Sequence, residues 1–142
     1  MSDVRVTVVV PVLNEARRIA ACLDAIAEQT DAPPFEVVVV DNGSRDATLE
    51  IVRRHRLGAR TAVERARGPY AARNTGIAQA RGAIIAFTDA DCLPESDWLR
   101  MGVQALDEGG DLAGGHVVQM ASADATIWER YYTLSLHDAL PI

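Results

Sequence analysis

Short, almost continuously apolar segments alternate along the chain with segments whose apolar residues recur at helical spacing. The apolar segments are typical of strands that are buried on both faces of a parallel sheet. The helical segments carry polar residues at their other positions, so we expect them to cover that sheet. This pattern predicts an α/β fold with strands at Val4–Val12, Phe35–Val40, Thr61–Glu64, Ala83–Asp89 and Leu112–Met120, and helices at Ala16–Gln29, Ala47–Arg56, Pro69–Ala80 and from Ser96 or Asp97 to Leu106.

Capping and turn residues mark the ends of these helices. Asp46 is expected to cap the second helix and Pro69 to begin the third, while Gly58 and Gly82 are expected to end them. The spacing also predicts which side chains face the sheet. These are Ile19, Cys22, Leu23 and Ile26 in the first helix, Leu49, Ile51 and Val52 in the second, and Trp98, Met101 and Ala105 in the fourth.

The end of the chain does not continue the pattern. Asp124–Tyr132 could begin another helix, but residues 134–142 (LSLHDALPI) match no clear element. We therefore expect one domain over residues 1–133, incomplete at its C-terminus, followed by a doubtful tail of foreign sequence. The alternative is a genuine short C-terminal helix.

Composition limits the possible functions. The chain has 142 residues and a net charge of −6, which argues against general binding of nucleic acid. Cys22 and Cys92 have no disulfide-framework spacing, so we expect reduced thiols in a soluble cytosolic protein. Basic residues cluster in the middle of the chain, where an anionic ligand could use them: Arg65, Arg67, Arg73 and Arg81.

Polar residues follow three of the predicted strands. The loops Pro11–Glu15, Asp41–Ser44 and Asp89–Asp91 come after the first, second and fourth strands. The carboxyl ends of parallel strands lie along one edge of a sheet, so these side chains can converge on one ligand. Gly68–Asn74 adds a helix start and Arg73 near the same edge, a combination suited to anions.

Asp89 and Asp91 are the strongest candidates for metal binding. Two carboxylates at i and i+2 of an extended segment point to the same side. Such a pair can hold a hard divalent cation, which in turn can hold a phosphate. The alternative is that these acids only cap the following helix.

Four segments together resemble the N-terminal half of a family 2 glycosyltransferase of the GT-A fold. They are VVVPVLNEARRI, VVVVDNGSRDAT, ARGPYAARNTGIAQARGAIIAFTDADCLPESDWL and AGGHV, and the resemblance runs from about Val4 to about Val118. It implies a three-layer, Rossmann-like, mostly parallel sheet and a donor site for a nucleotide-diphospho-sugar linked to UDP, GDP or dTDP. The resemblance also implies residue roles. The nucleoside pocket is lined by Pro11, Asn14, Glu15 and Asp41, and Asp41 accepts a hydrogen bond from the base. Near the diphosphate lie Arg73 and Asn74, while Asp89 contacts ribose or the metal shell and Asp91 binds Mg²⁺ or Mn²⁺.

The resemblance implies inverting transfer of a sugar to a hydroxyl of a glycan, lipid or small molecule, in cell-surface or envelope glycan synthesis. It places the protein in the cytoplasm, with peripheral association of the full-length protein at the inner face of the membrane as an option. The general base that inversion needs is expected beyond the end of this chain. Asp124 and Glu129 come too early, and nothing identifies either as the base.

Other readings remain open at the level of sequence. Asp41 could be only a turn former, Asn14 and Glu15 could cap the first helix, and Arg73 could be a surface charge. Cys92 is expected to be a spectator thiol, because no histidine or second cysteine is spaced to complete a soft-metal site.

The alternative functions are a sugar nucleotidyltransferase and a non-catalytic nucleotide-binding fragment. The loop after the first strand has no glycine, which counts against the nucleotidyltransferase. No G-x-G-x-x-G follows that strand either, which disfavours a redox dinucleotide enzyme.

Overall fold

The structure is a computed structural model that describes residues 3–121 and 130–141. Strands and helices alternate in the described part, as the sequence predicts. The strands are β1 Val6–Val12, β2 Phe35–Asp41, β3 Arg60–Val63, β4 Ile84–Phe87, β5 Ala113–Ala121 and β6 Arg130–Pro141, and the helices are α1 Ile19–Ala27, α2 Thr48–Arg54, α3 Pro69–Gln79 and α4 Trp98–Asp107.

The first four strands form one parallel sheet in the order β3-β2-β1-β4. β1 pairs along its whole length with β2, from Val6 opposite Phe35 to Val12 opposite Asp41, and on its other side with β4. The chain therefore leaves β1 in one direction to form β2 and returns to its other side to form β4. The crevice beyond the carboxyl ends of β1 and β4 is the topological switch point, where such sheets bind ligands.

The side chains of β1 and β2 alternate between two apolar layers. Val8, Val10 and Val39 belong to the larger layer, which packs against α1, α2 and α4, whereas Val9 and Val38 pack toward Ala72 of α3. The sheet is thus covered by helices on both faces, which confirms the predicted three-layer α/β architecture.

The predicted helix faces are confirmed in part. All four predicted α1 residues are buried, and Val52 is the buried apolar residue of α2. In α4 Trp98 is buried and Met101 packs against the core, as predicted, but the buried residues also include Leu99 and Val103, which the prediction missed.

The fourth strand is shorter and less buried than its composition predicts. It ends at Phe87, two residues before Asp89, and its side chains are half-buried or exposed. The reason is its position at the edge of the four-stranded sheet, where β1 is its one partner among the described strands. The acidic pair therefore lies in the loop beyond the strand.

Two glycines allow the close packing of α3 and of the segment that follows it. A Cβ on Gly76 would lie 2.3 Å from Cγ1 of Val9. Because glycine has no Cβ, α3 can approach β1 closely at this position. Gly82 was predicted to end α3, but the helix ends at Gln79, where Ala80 turns to an extended conformation. A Cβ on Gly82 would lie 2.7 Å from the backbone nitrogen of Thr7, so this glycine permits close approach of two backbones.

A partly buried carboxylate joins several segments of the chain at the amino ends of the strands. Glu36 accepts hydrogen bonds from the Thr7 hydroxyl at 2.8 Å, from the Arg81 N–H at 2.8 Å and from the Arg60 guanidinium at 3.0 and 3.1 Å. Burial alone would raise the pKa of Glu36, but these hydrogen bonds outweigh it and hold the pKa below its ordinary value.

The last described elements form a separate two-stranded antiparallel sheet. β5 pairs with β6, and the register shifts between Gly114 and His116. Residues 130–132, expected in a helix, are in β6, and so are residues 134–141 of the predicted tail; the structure has a strand where a terminal helix was the alternative. The start of the predicted helix, with Asp124 and Glu129, lies outside the described residues. Whether residues 134–142 are foreign sequence stays a prediction.

Among the described residues, no helix has both the length and the apolar composition to cross a membrane.

Candidate functional site

The loops after β1 and β2 are fastened to each other by the side chains that the sequence singles out. Asn14 has a positive φ of 53°, its N–H donates to the Ser44 hydroxyl at 2.9 Å, and its Oδ1 accepts the Arg45 N–H at 2.8 Å. The Glu15 N–H donates to the Thr48 hydroxyl at 2.9 Å. The Asn14 side chain therefore does not cap α1; it joins two loops at the carboxyl edge, as a shared ligand site requires.

Asp41 and Pro11 lie in paired strands at the same edge. Asp41 is the last residue of β2, is 3% exposed, and accepts the N–H groups of Gly43 at 3.3 Å and Ser44 at 3.2 Å. Pro11 lies in β1 opposite Val40. The turn-forming role of Asp41 is thus present in the structure, and the remaining lone pairs of its carboxylate are still able to accept a hydrogen bond.

Asn42 is a site residue that the sequence analysis missed. Its Nδ2 donates to the carbonyls of Glu64 at 2.9 Å and Ala66 at 2.7 Å, and its Oδ1 accepts the Gly68 N–H at 3.0 Å. This one amide joins the end of β2 to the segment that leads into α3. The contacts are more than 20 residues apart in sequence, so only the Asn-Gly turn signal was visible there.

Arg73 lies in α3 and points to the acidic loop. Its guanidinium forms an ion pair with Asp89 at 3.1 Å and lies over the Tyr70 ring, 5.8 Å from the ring centre. The Arg73 side chain is 30% exposed. Asn74, the next residue, is exposed. The helix begins at Pro69, so its N-terminal N–H groups and Arg73 together make one end of the site attractive to an anion.

The two aspartates are brought together by a turn. The Cys92 N–H donates to the Asp89 carbonyl at 3.0 Å, and the buried Cys22 thiol lies 3.5 Å from that carbonyl. The expectation of an extended segment was therefore wrong, because the strand has already ended at Phe87. The turn nevertheless places donor atoms of Asp89, Asp91 and Cys92 within 4.8 Å of one another.

This cluster fits a hard divalent cation. Asp91 and Asp89 offer carboxylate oxygens, the ligands that Mg²⁺ prefers. Burial raises the pKa of the Cys92 thiol to about 11, which keeps it protonated at neutral pH. Thiolates favour soft metals, so Asp89 and Asp91 are the residues of this cluster that would hold a hard cation such as Mg²⁺ or Mn²⁺.

Glu15 lies close enough to this cluster to interact with it electrostatically. Burial is the main cause that raises the pKa of Glu15, and the negative charge of Asp91 adds to it, while Arg18 opposes it. The site thus concentrates negative charge on one side and the Arg73 guanidinium on the other. A cation beside Asp91 would reduce the repulsion between the carboxylates, and a phosphate beside Arg73 would be attracted by its positive charge.

Comparison with known proteins identifies the family of the chain. The family model "Glycosyl transferase family 2" matches residues 7–137. Glycosyltransferase AglE of Haloferax volcanii is 45% identical over 132 residues, which cover 89% of this chain and 43% of AglE.

Solved structures with the same fold contain nucleotides. TarS (residues 1–349) of S. aureus in complex with UDP matches with a TM-score of 0.66 and 34% identity, over 73% of this chain and 32% of that one. The mannosyltransferase PcManGT of Pyrobaculum calidifontis in complex with GDP-Man and Mn²⁺ matches with a TM-score of 0.64 and 40% identity, over 78% of this chain and 34% of that one. The chain thus spans less than half of each of these relatives. Its fold is GT-A, and it belongs to glycosyl transferase family 2.

Proposed function

We propose that this chain forms the donor-binding part of a glycosyltransferase that uses a nucleotide-diphospho-sugar. The observation that carries the proposal is the placement of Arg73 against Asp89, with Asp91 in the same turn, at the switch point of a parallel sheet. A cationic side chain, a helix N-terminus and a pair of metal-ligating carboxylates are the groups that a diphosphate and its metal need.

The nucleoside would lie along the loops after β1 and β2. In this arrangement Pro11, Asn14, Glu15 and Asp41 line its pocket, and Asp41 accepts a hydrogen bond from the base. The support is that Asn14 bonds to Ser44, whose N–H donates to Asp41, and that the Glu15 N–H bonds to the Thr48 hydroxyl at the start of α2, so hydrogen bonds connect the walls of this pocket.

The diphosphate would lie between α3 and the turn after β4. Asp91 would bind Mg²⁺ or Mn²⁺ directly, with Asp89 in the metal shell or at the ribose, and Arg73 and Asn74 would face the phosphates. A divalent cation bound there stabilises the negative charge that develops on the departing diphosphate. TarS with UDP and PcManGT with GDP-Man and Mn²⁺ support this assignment by similarity.

The acceptor would be a hydroxyl of a glycan, a lipid or a small molecule, and the transfer would invert the anomeric centre in cell-surface or envelope glycan synthesis. We place this reaction in the cytoplasm, at the inner face of the membrane where the acceptor is a lipid. Inversion requires a base that removes the hydroxyl proton. We assign it to none of the described residues.

Calorimetric titration tests the donor site. UDP, GDP and dTDP are titrated with and without Mn²⁺ into the wild-type protein, into Asp91→Ala and into Asp107→Ala. Asp107 is an exposed aspartate paired with Arg5, so this control makes the same change of charge elsewhere. We expect binding of at least one nucleotide that requires Mn²⁺, is lost in Asp91→Ala and is retained in Asp107→Ala. Tight binding that is indifferent to both the metal and Asp91 would contradict the proposal.

A further inference from the structure

The side-chain amide of Asn42 forms three hydrogen bonds with one short segment, two as donor and one as acceptor. The segment consists of residues 64–68, between β3 and α3, and is called here the arginine segment because it contains Arg65 and Arg67. Asn42 bonds to its first, middle and last residues: Glu64, Ala66 and Gly68. The backbone N–H of Asn42 in turn donates to the Val12 carbonyl at 2.9 Å. One residue therefore connects the ends of β1 and β2 to the start of α3.

The arginine segment carries groups that suit an anionic ligand. Arg65 and Arg67 are exposed. Gly68 follows with a φ of 114°, a conformation that L side chains rarely adopt, and α3 begins at the next residue. Because Gly68 both accepts this conformation and donates its N–H to Asn42, the position of the α3 N-terminus depends on the Asn42 side chain.

Hydrogen bonds of Glu64 connect the same segment to α3. The Glu64 carboxylate accepts the Ala66 N–H at 2.8 Å and the hydroxyl of Thr75, and the Thr75 bond is the main cause that lowers the pKa of Glu64. Glu64 thus fixes the segment to the helix, whereas Asn42 fixes both to the sheet. Loss of the Asn42 side chain would remove the side-chain bonds from the sheet to Glu64, Ala66 and Gly68. The Glu64 N–H would still donate to the Asp41 carbonyl at 2.9 Å, and α3 would still pack on the sheet through Ala72, so we expect a local shift of residues 65–68 and the first turn of α3.

We propose that Asn42 is a positioning residue for donor binding, which holds the arginine segment and the N-terminus of α3 at the distance that the donor's diphosphate requires. The proposal rests on the proposed function above and adds to it a residue that does not touch the donor. Its action passes through Arg65, Arg67 and Arg73, whose guanidinium groups move with the segment and the helix.

Gln29 offers a matched control. Its amide also donates to two carbonyls, those of Ala25 and Glu95, and accepts one N–H, that of Leu99. It joins the end of α1 to the start of α4 and is not among the residues assigned to the donor. Asn42→Ala and Gln29→Ala therefore remove the same number and kind of hydrogen bonds, and only the first removes them beside the proposed phosphate site.

The test measures affinity and local opening in the same four proteins: wild type, Asn42→Ala, Asn42→Asp and Gln29→Ala. UDP, GDP and dTDP are titrated with Mn²⁺, and limited trypsin digestion is followed by mass spectrometry at the bonds after Arg65 and Arg67. We expect both Asn42 variants to bind the nucleotide about tenfold more weakly or worse, since each loses both N–H donors. We expect faster cleavage after Arg65 and Arg67 in these variants and wild-type behaviour of Gln29→Ala in both measurements. Asn42→Asp keeps an acceptor for Gly68, so it carries the test if Asn42→Ala does not fold.

Two outcomes would overturn the inference while the proposed function stands, and a third would overturn both. If the wild type binds nucleotide and Asn42→Ala and Asn42→Asp bind it equally well, the positioning role is wrong while the donor site stands. If Gln29→Ala loses as much affinity as Asn42→Ala, the effect is one of general stability, and the positioning role is again wrong. If the wild type binds none of UDP, GDP and dTDP with Mn²⁺, the proposed function fails and the inference fails with it.

Discussion

The guanidinium of Arg73 lies 3.1 Å from the carboxylate of Asp89, and this ion pair joins α3 to the turn after β4. The two residues come from different elements, since α3 packs on one face of the sheet and the turn follows the edge strand β4. The pair places one positive charge beside the two acids of the turn. A phosphate that binds the metal at Asp91 would therefore also be within the field of Arg73.

Removal of the arginine should affect ligand binding far more than stability. The Asp89 side chain is 56% exposed, and exposed ion pairs contribute about 0–1 kcal/mol. We expect Arg73→Ala to lower the free energy of unfolding by less than about 1 kcal/mol and to weaken Mn²⁺-dependent nucleotide binding about tenfold or more. Urea denaturation and calorimetry measure the two effects. Arg54→Ala breaks an exposed helical pair with Glu50 and serves as control; an equal loss of affinity in that variant would contradict the role of Arg73.

The close contact between α3 and β1 predicts that replacing Gly76 with alanine lowers the free energy of unfolding. Gly→Ala inside a helix ordinarily stabilises by about 1 kcal/mol. At Gly76 the added Cβ would lie 2.3 Å from Cγ1 of Val9, so we expect Gly76→Ala to destabilise the protein by about 1–3 kcal/mol. In the double variant Val9→Ala/Gly76→Ala the clash is gone, so the two changes should cost less together than their sum. If chemical denaturation shows that the changes in unfolding free energy of the two single variants add up to that of the double variant, the helix does not pack on Val9 as described.

The Glu36 network predicts a defined pH dependence of stability. The pKa of Glu36 is lower in the folded state than its ordinary value of 4.5, so the unfolded state binds more protons in this range. The stabilisation is therefore present above pH 4.5 and is lost as the pH falls through the folded pKa. We expect Glu36→Gln to lower stability at neutral pH by about 1–3 kcal/mol and to flatten the decline on acidification.

Denaturant midpoints measured across the acid range test this prediction. Glu50→Gln is the control, because Glu50 is exposed and forms an ion pair with Arg54 one helical turn away. If the denaturant midpoint falls with the same slope on acidification in wild type and in Glu36→Gln, another carboxyl group causes the acid sensitivity.

The alternation of strands and helices was predictable because it follows from local composition. The continuous valines of β1 and β2 require burial on both faces, and the spacing of Ile19, Cys22, Leu23 and Ile26 requires one helix face, so these elements agree with the structure. β4 was mispredicted because its exposure depends on which strand pairs beside it, and local composition does not contain that information.

The site was predictable to the level of loops, but its contacts were not. Asp89 and Asp91 were selected correctly as neighbours, yet they meet through a turn closed by the Cys92 N–H. The roles of Asn42 and Gly82 depend on partners more than 20 and more than 70 residues away, and no local pattern identifies such partners. Long-range contacts of this kind become visible only when the strands are placed side by side.

The central claim is that the turn containing Asp89 and Asp91 holds a metal that bridges to a nucleotide diphosphate. A crystal structure of the protein with Mn²⁺ and the tightest-binding nucleoside diphosphate, with anomalous diffraction data collected at the manganese absorption edge, tests it most directly. We predict a single anomalous peak at coordination distance from an Asp91 carboxylate oxygen and from oxygens of the diphosphate, with the Arg73 guanidinium within hydrogen-bond distance of a phosphate. A nucleotide bound away from this edge, or a manganese ion that contacts neither aspartate, would contradict the account.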